Sequence, residues 1–97
     1  MSNKQNSIEI TTLCRHYRVE RAFFSQLNEI GLIETTSIEN NQYVDETDIS
    51  HIDRIIRLYQ ELEINPEGID VIINLLNKIE QLEVRLNATQ NRLKLYE

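Results

Sequence analysis

The apolar and polar positions divide the chain into several short segments before residue 65 and one long segment after it. Apolar Ile8 and Ile10 open the first segment. Thr11 and Thr12 follow, and either is a suitable N-cap for a helix that continues to about Tyr17. The pattern therefore predicts a brief first helix.

A second helix is predicted from Glu20 to Ile30. Phe23 and Leu27 recur at helical spacing within it, and Gly31 stands where a left-handed C-terminal cap is favoured. A short turn separates this helix from the first. The two segments together predict a helix-turn-helix.

A small hairpin is predicted next. Leu32 and Ile33 start a short extended segment, the polar residues 35–42 form a loop, and Tyr43 and Val44 form a return strand. This hairpin would be a small two-stranded wing beside the helix-turn-helix.

A third helix is predicted from a cap at Asp45 or Thr47 to about Glu63. Its apolar residues form one broad stripe: Ile49, Ile52, Ile56 and Tyr59, widened by Ile55, Leu58 and Leu62. Because the stripe is wide, we expect the helix to pack against two neighbours.

The long segment starts with three residues that favour a helix start. Asn65 is a good N-cap, Pro66 suits the first helical position, and Glu67 places an acid in the first turn. No Gly or Pro interrupts the chain from Ile69 to Glu97. A long fourth helix is therefore predicted from Pro66 onward.

The apolar residues of the fourth helix form a narrow seam with heptad spacing. They are Ile72, Leu75, Ile79, Leu82, Leu86, Thr89, Leu93 and Tyr96. The flanking positions carry Lys78, Arg85 and Arg92 on one side, and Glu83, Gln90 and Glu97 on the other. A seam between charges is typical of a coiled coil. The residues that we expect to pair two copies are Ile72, Leu75, Ile79, Leu82, Leu86 and Leu93.

The sequence allows two arrangements of this helix: it folds back onto the preceding part of its own chain, or it pairs with a second copy. A helix of about 30 residues, at 1.5 Å per residue, outruns a core of this size, which favours the homodimer. A basic flank facing an acidic flank suits a parallel pair. Because surface ion pairs are weak individually, the orientation stays open.

Length and composition indicate one small domain with 97 residues, of which 40% are hydrophobic. We divide it into a disordered arm (1–7), a winged helix-turn-helix head (8–64) and a dimerisation helix (65–97). The single Cys14 cannot form an internal disulfide, and no apolar run approaches the roughly 20 residues that span a bilayer. The polar start lacks the apolar region of a secretory signal, so we expect a cytoplasmic protein without a membrane partner.

The charge is acidic and unevenly placed. The net charge is −6 and the pI about 4.9; residues 1–64 hold six Lys or Arg against eleven Asp or Glu, and residues 65–97 hold four against five. Between Ala22 and Asp53 the chain has seven acids and no Lys or Arg. Because DNA is held chiefly by cations that neutralise phosphates, this stretch predicts poor DNA binding and favours a basic protein partner.

Few residues support catalysis or metal binding. His16 and His51 are far apart in sequence, and the only glycines, Gly31 and Gly68, cannot form a glycine-rich phosphate loop. Cys14 and His16 resemble a ligand pair, but a lone cysteine in a first helix is more often a small core residue. We expect no enzyme, no cofactor and no metal.

The neighbours Phe23 and Phe24 leave two possibilities open, since adjacent helical residues point about 100° apart. Both rings pack inside, or Phe24 lies exposed as an apolar anchor within an acidic surface.

The order of these elements resembles the MerR superfamily of winged-helix proteins, and more closely the chaperone modulators of the CbpM family. The residues that carry the closer resemblance are Ile10, Leu13-Cys14-Arg15-His16, Ile30-Gly31-Leu32-Ile33-Glu34, Arg57-Leu58-Tyr59, Leu62, Ile64-Asn65-Pro66-Glu67-Gly68-Ile69, Leu75-Leu76-Asn77-Lys78-Ile79 and Leu82. The likeness covers nearly the whole chain. It implies a mainly α fold: a MerR-like winged helix-turn-helix with a long C-terminal coiled-coil helix.

The chain departs from the DNA-binding members at their contact positions. Where MerR regulators carry an Arg-aromatic-aromatic-Glu run before the helix-ending glycine, this chain reads Ser25-Gln26-Leu27-Asn28, and it has Gln42 where their wing offers an Arg. A serine cannot give the cationic reach of arginine to a phosphate or guanine edge.

The resemblance implies a non-enzymatic inhibitor that binds the J domain of a CbpA-type co-chaperone, so that the J domain cannot stimulate its DnaK-type chaperone. From charge and position, the candidate contacts are Glu29, Glu34, Glu39 and Asp45, with Phe24 as a possible anchor. The alternatives are a MerR-like DNA-binding transcriptional regulator, suggested by the fold alone, and a purely structural dimer.

Overall fold

The computed structural model describes residues 6–96 of the chain. The elements in chain order are β1 (Ser7–Glu9), α1 (Ile10–Tyr17), α2 (Arg21–Ile30), β2 (Thr36–Ile38), β3 (Asn41–Asp45), a 3-10 turn (Glu46–Asp48), α3 (Ile49–Leu62) and α4 (Pro66–Tyr96). The mainly α fold with a small wing and a long last helix is confirmed.

The first helix begins at Ile10, directly after β1. Its N-cap is Glu9, which makes no side-chain capping bond, so the predicted cap at Thr11 or Thr12 is wrong. Residue Glu9, which precedes α1, belongs to β1 and pairs with β3. This pairing fixes the backbone at the start of the helix, where a capping side chain would otherwise do so.

The second helix ends as its sequence predicts. Gly31 has φ +92°, a left-handed conformation that glycine adopts without strain. Its N–H donates to the carbonyls of Leu27 and Asn28, and the Leu32 N–H donates to the Leu27 carbonyl (2.9 Å). These bonds satisfy carbonyls that the helix end would leave unpaired.

The wing is a hairpin of β2 and β3, but its first strand is not at Leu32 and Ile33. Those two side chains are buried in the core immediately after the helix cap, and β2 lies within the stretch predicted to be a loop. Glu39 and Asn40 form the two-residue turn, and both have positive φ values, as a type I′ hairpin turn requires.

A third strand joins the wing, so the sheet has three strands rather than the predicted two. The strand order is β1-β3-β2, and both pairings are antiparallel. Ser7 pairs with Asp45 and Ile8 with Val44. Ser7 belongs to the segment predicted to be a disordered arm; residues 1–5 of that arm lie outside the described residues.

The third helix starts through a 3-10 turn. The Asp45 side chain accepts a hydrogen bond from the Thr47 N–H at 2.9 Å, so Asp45 caps this turn. The N-cap of α3 itself is Asp48, which makes no side-chain capping bond, so the predicted cap acts on the turn before the helix. At its other end, Glu63 adopts a left-handed conformation (φ 54°), and the Ile64 N–H donates to the Leu58 carbonyl.

The fourth helix begins at Pro66, as predicted. The Asn65 side-chain oxygen accepts a hydrogen bond from the Gly68 N–H at 2.8 Å, as an N-cap does. Its 31 residues extend about 46 Å at 1.5 Å per residue. Of its base residues, Ile69 and Ile73 are buried against the head, whereas Leu76 stays 39% exposed.

One hydrophobic core holds the head together. Its members are Ile10, Leu13, Phe23, Phe24, Leu27, Leu32, Ile33, Val44, Ile52, Ile55, Ile56, Ile69 and Ile73. They come from α1, α2, the wing, α3 and the base of α4, so the core fixes how the exposed faces of these elements are placed. The rest of α4 leaves the head without folding back over it, and its residues 74–95 are exposed.

Candidate protein-docking surface

The outward face of α2 carries little positive charge. Arg21, the first residue, is the one cation of this helix. Ser25, Gln26 and Asn28 are exposed, whereas Leu27 is fully buried. Of the four residues of α2 that depart from the DNA-binding members, three therefore present uncharged polar side chains to solvent, and a phosphate would find no cation on them.

Two of the predicted contact acids lie close together along the chain at the end of this helix. Glu29 is on its last turn, and Glu34 follows three residues after Gly31; both are exposed. Within residues 6–96, neither carboxylate forms a salt bridge. Their charges are therefore available to a basic partner.

The structure separates the other two contact acids. Glu39 is in the hairpin turn before β3, and Asp45 is the last residue of that strand. The strand places about 13 Å between its two ends, at about 3.3 Å per residue. The four predicted acids therefore do not form one compact patch, and Glu39 and Asp45 occupy opposite ends of the wing.

Asp45 also has a structural role. Its carboxylate accepts from both the N–H and the hydroxyl of Thr47, at 2.9 Å each. These bonds stabilise the charged form, first through the backbone N–H, and they hold the pKa of Asp45 below its ordinary value. Asp45 stays exposed and negatively charged while it caps the turn.

Asp48, which was not among the predicted contacts, lines the same concavity as Glu34. The two side chains line a shallow concavity together with His51, whose Nε2 donates to the Leu32 carbonyl oxygen at 3.0 Å. Asp48 is one of the seven acids in the stretch without Lys or Arg, so the charge pattern alone could have identified it as a candidate contact. Only the fold brings it to the concavity that Glu34 lines, because fourteen positions separate the two residues in the chain.

Phe24 is not an exposed anchor. Its side chain is 1% exposed, and Phe23 beside it is 6% exposed, so both rings pack in the core. The two rings meet edge to face, with centroids 5.8 Å apart. The prediction that Phe24 is an exposed contact residue is therefore wrong. The other possibility, that both rings pack inside the core, is confirmed.

A groove that sequence reasoning missed lies between the α1–α2 turn and the end of α3. It has a volume of about 430 Å³, and Val19, Phe23, Tyr59 and Pro66 supply its apolar lining. Its residues come from three separate stretches of the chain (18–26, 59–60 and Pro66), and no local sequence pattern joins them.

The whole head and most of the long helix match one family model. Residues 8–91 match the model of the MerR HTH family of regulatory proteins. The chain belongs to this family.

One relative in the family is the chaperone modulatory protein CbpM of Pseudomonas entomophila (strain L48). It is 26% identical to this chain over 87 residues, which cover 89% of this chain and 86% of the relative. The resemblance to CbpM, based on residue motifs, is therefore confirmed. Both matches point to a regulatory or modulator protein rather than to an enzyme.

The long helix of this MerR-family chain exposes an apolar seam. Leu75, Ile79, Leu82, Leu86 and Leu93 are each between 50% and 61% exposed, whereas Ile72 near the base is half-buried. Isolated apolar residues on a surface are ordinary, but a contiguous row of them along one helix is typical of an interaction surface.

Metal ligands are not assembled in this MerR-family head. Among the residues that the structure describes, no three His, Cys, Asp or Glu side chains come together as a metal site. Cys14 is half-buried, and burial raises the pKa of its thiol. In the described part of the chain, no helix is long and apolar enough to cross a membrane.

Proposed function

We propose that this protein is a non-enzymatic chaperone modulator that binds the J domain of a CbpA-type co-chaperone and inhibits it. The similarity to the chaperone modulatory protein CbpM, which covers 89% of the chain, is the observation that carries this proposal. Bound to the modulator, the J domain would no longer stimulate its DnaK-type chaperone.

The charge of the exposed head supports this choice of partner. The J domain presents a basic helix to its chaperone, and an acidic surface competes for such a helix by electrostatic complementarity. Glu29 and Glu34 are the strongest candidate contacts, because they are close in sequence, exposed and without salt bridges in the described part of the chain. Glu39 and Asp45 would contact more distant parts of the partner.

DNA binding, which the family's fold alone suggests, is the weaker candidate. A duplex would have to approach α2, where Ser25 and Gln26 replace the family's cationic and aromatic contacts. A DNA-binding protein needs such side chains both to recognise base edges and to bind phosphates.

We further propose that two copies pair through α4. The seam of Ile72, Leu75, Ile79, Leu82, Leu86 and Leu93 repeats every third or fourth residue and is largely exposed in the single chain. Pairing would bury it, and the basic and acidic flanks favour a parallel arrangement. Each head would then offer its own acidic surface.

Inhibition is tested by the rate of ATP hydrolysis of a DnaK-type chaperone. The J domain of a CbpA-type co-chaperone is added to stimulate hydrolysis, and this protein is then titrated in. We expect the rate to return to the unstimulated value once the protein exceeds the J domain. The rate without the J domain should not change. A stimulated rate that persists at saturating protein would contradict the proposal.

A further inference from the structure

We infer that the groove between α2 and α3 accepts an apolar side chain from the basic helix of the partner, and so provides the apolar anchor point of the complex. This inference rests on the proposed function. The sequence suggested an exposed Phe24 on α2 as the apolar anchor; in the inferred complex, a groove lined by α2 receives an apolar side chain of the partner instead.

The floor of the groove is aromatic. The rings of Phe23 and Tyr59 lie 4.1 Å apart, centroid to centroid, with their planes 30° from parallel. Phe23 is 6% exposed and Tyr59 is 38% exposed, so the Tyr59 ring presents the larger apolar surface to an incoming side chain. Val19 and Pro66 complete the apolar lining.

Two amides hold the walls in place. The Gln60 Nε2 donates to the Tyr17 carbonyl oxygen at 2.7 Å, which ties α3 to the end of α1. The Gln26 Nε2 donates to a Glu67 carboxylate oxygen at 3.2 Å, which ties α2 to the start of α4. In both cases the amide nitrogen is engaged, and the side-chain oxygen is left to accept from a partner.

The charges around the groove favour a basic partner. Glu20 lines it, Glu67 is bound to its wall, and Glu29 lies three residues beyond Gln26 along α2. Arg18 is the one cation among the lining residues. Glu20 in the lining and Glu67 on the Gln26 amide therefore give two carboxylates against the one guanidinium group among the lining residues.

The size and composition of the groove suit an anchor residue. Interface energy is concentrated in a few apolar side chains that fill fully desolvated pockets, with polar groups around them. A volume of about 430 Å³ is at the small end of ordinary ligand pockets and holds one side chain with its neighbours. The helix that docks would place this side chain in the groove and its cations near the three carboxylates.

The test fills the groove with a larger side chain and keeps a matched control. Ala22 is exposed, lines the groove and is replaced in Ala22→Phe. Ala88 is exposed on α4, off the apolar seam, and receives the same change in Ala88→Phe. We expect Ala22→Phe to weaken binding of a CbpA-type J domain at least tenfold, and Ala88→Phe to leave it within twofold. Equal affinity of both variants and the wild type would overturn the inference.

A second measurement needs no variant. In NMR spectra of the labelled wild-type protein, addition of the J domain should shift the side-chain amide signals of Gln26 and Gln60. Binding without any shift of these two signals would also overturn the inference, but would leave the proposed function intact. If the wild-type protein does not bind the J domain at all, both proposals fail together.

Discussion

The ring of Phe23 on α2 lies 4.1 Å from the ring of Tyr59 on α3, centroid to centroid. This contact joins two helices whose residues are far apart in sequence. It also forms the floor of the groove, so the same pair of rings stabilises the head and shapes its surface.

The Tyr59 ring therefore contributes to stability. We expect Tyr59→Ala to lower the free energy of unfolding by about 1–3 kcal/mol, because an aromatic pair is worth about 0.5–1.5 kcal/mol beyond the apolar area that it buries. Tyr59→Phe keeps the ring and should stay within about 0.5 kcal/mol of the wild type. Urea denaturation measures both. Equal stability of Tyr59→Ala and the wild type would show that the ring contact contributes nothing.

The cap formed by Asp45 makes stability depend on pH. Because the hydrogen bonds from Thr47 lower its pKa in the folded protein, the charged carboxylate stabilises the fold above the unfolded pKa, near 3.9. This contribution is lost as the pH falls through the folded pKa. Asp45→Ala should therefore lower the urea midpoint at pH 7, and the difference from the wild type should shrink toward pH 3.

Glu29→Ala is the control for the capping effect, since Glu29 is an exposed acid without a salt bridge in the described residues. Its urea midpoint should follow that of the wild type at both pH values. A difference between Asp45→Ala and the wild type that grows on acidification would refute the cap as its cause.

The helices could be predicted from sequence because their signals are local. Gly31 and Pro66 mark an end and a start, and the structure places both where the pattern predicts. The cap at Asp45 is likewise a contact between residues two positions apart.

The strands were harder to predict, because their partners are distant in sequence. β1 has only three residues, too few for an alternating pattern, and it is fixed by pairing with β3. The turn at Glu39 and Asn40 lacks the glycine that usually marks a two-residue hairpin. Leu32 and Ile33 resemble a strand but are used to complete the core.

The acidic charge of the candidate site could be predicted from the sequence, but the placement of its residues in three dimensions could not. The absence of Lys and Arg between Ala22 and Asp53 identifies the acidic surface from composition alone. The concavity that Glu34 and Asp48 both line depends on how α3 packs, and so does the groove. That both Phe23 and Phe24 are buried depends on that packing as well.

Reversal of charge at the end of α2 should weaken the complex. In the double variant Glu29→Lys with Glu34→Lys, two attractions to a basic helix become repulsions, and we expect about tenfold lower affinity for the J domain. A lysine near a helix C-terminus is compatible with the helix dipole, so folding should not suffer. Glu80→Lys on the distal helix is the control. Equal losses in both would refute the proposed face.

The seam of α4 should control the oligomeric state. A wild-type dimer has twice the single-chain mass of 11.5 kDa in sedimentation equilibrium. Leu82→Asp with Leu86→Asp places two buried charges in the pairing surface and should yield the single-chain mass. Val84→Asp, at an exposed position off the seam, should leave the dimer intact. An unchanged mass in the double variant would remove the coiled-coil proposal.

Binding of the J domain is measured by a calorimetric titration of the wild-type protein with the J domain of a CbpA-type co-chaperone at moderate salt. We predict saturable binding with a stoichiometry of one J domain per chain, and an affinity that falls as salt is raised, since opposite charges meet. No heat and no saturable binding at concentrations up to tens of micromolar would show that the protein does not bind this J domain.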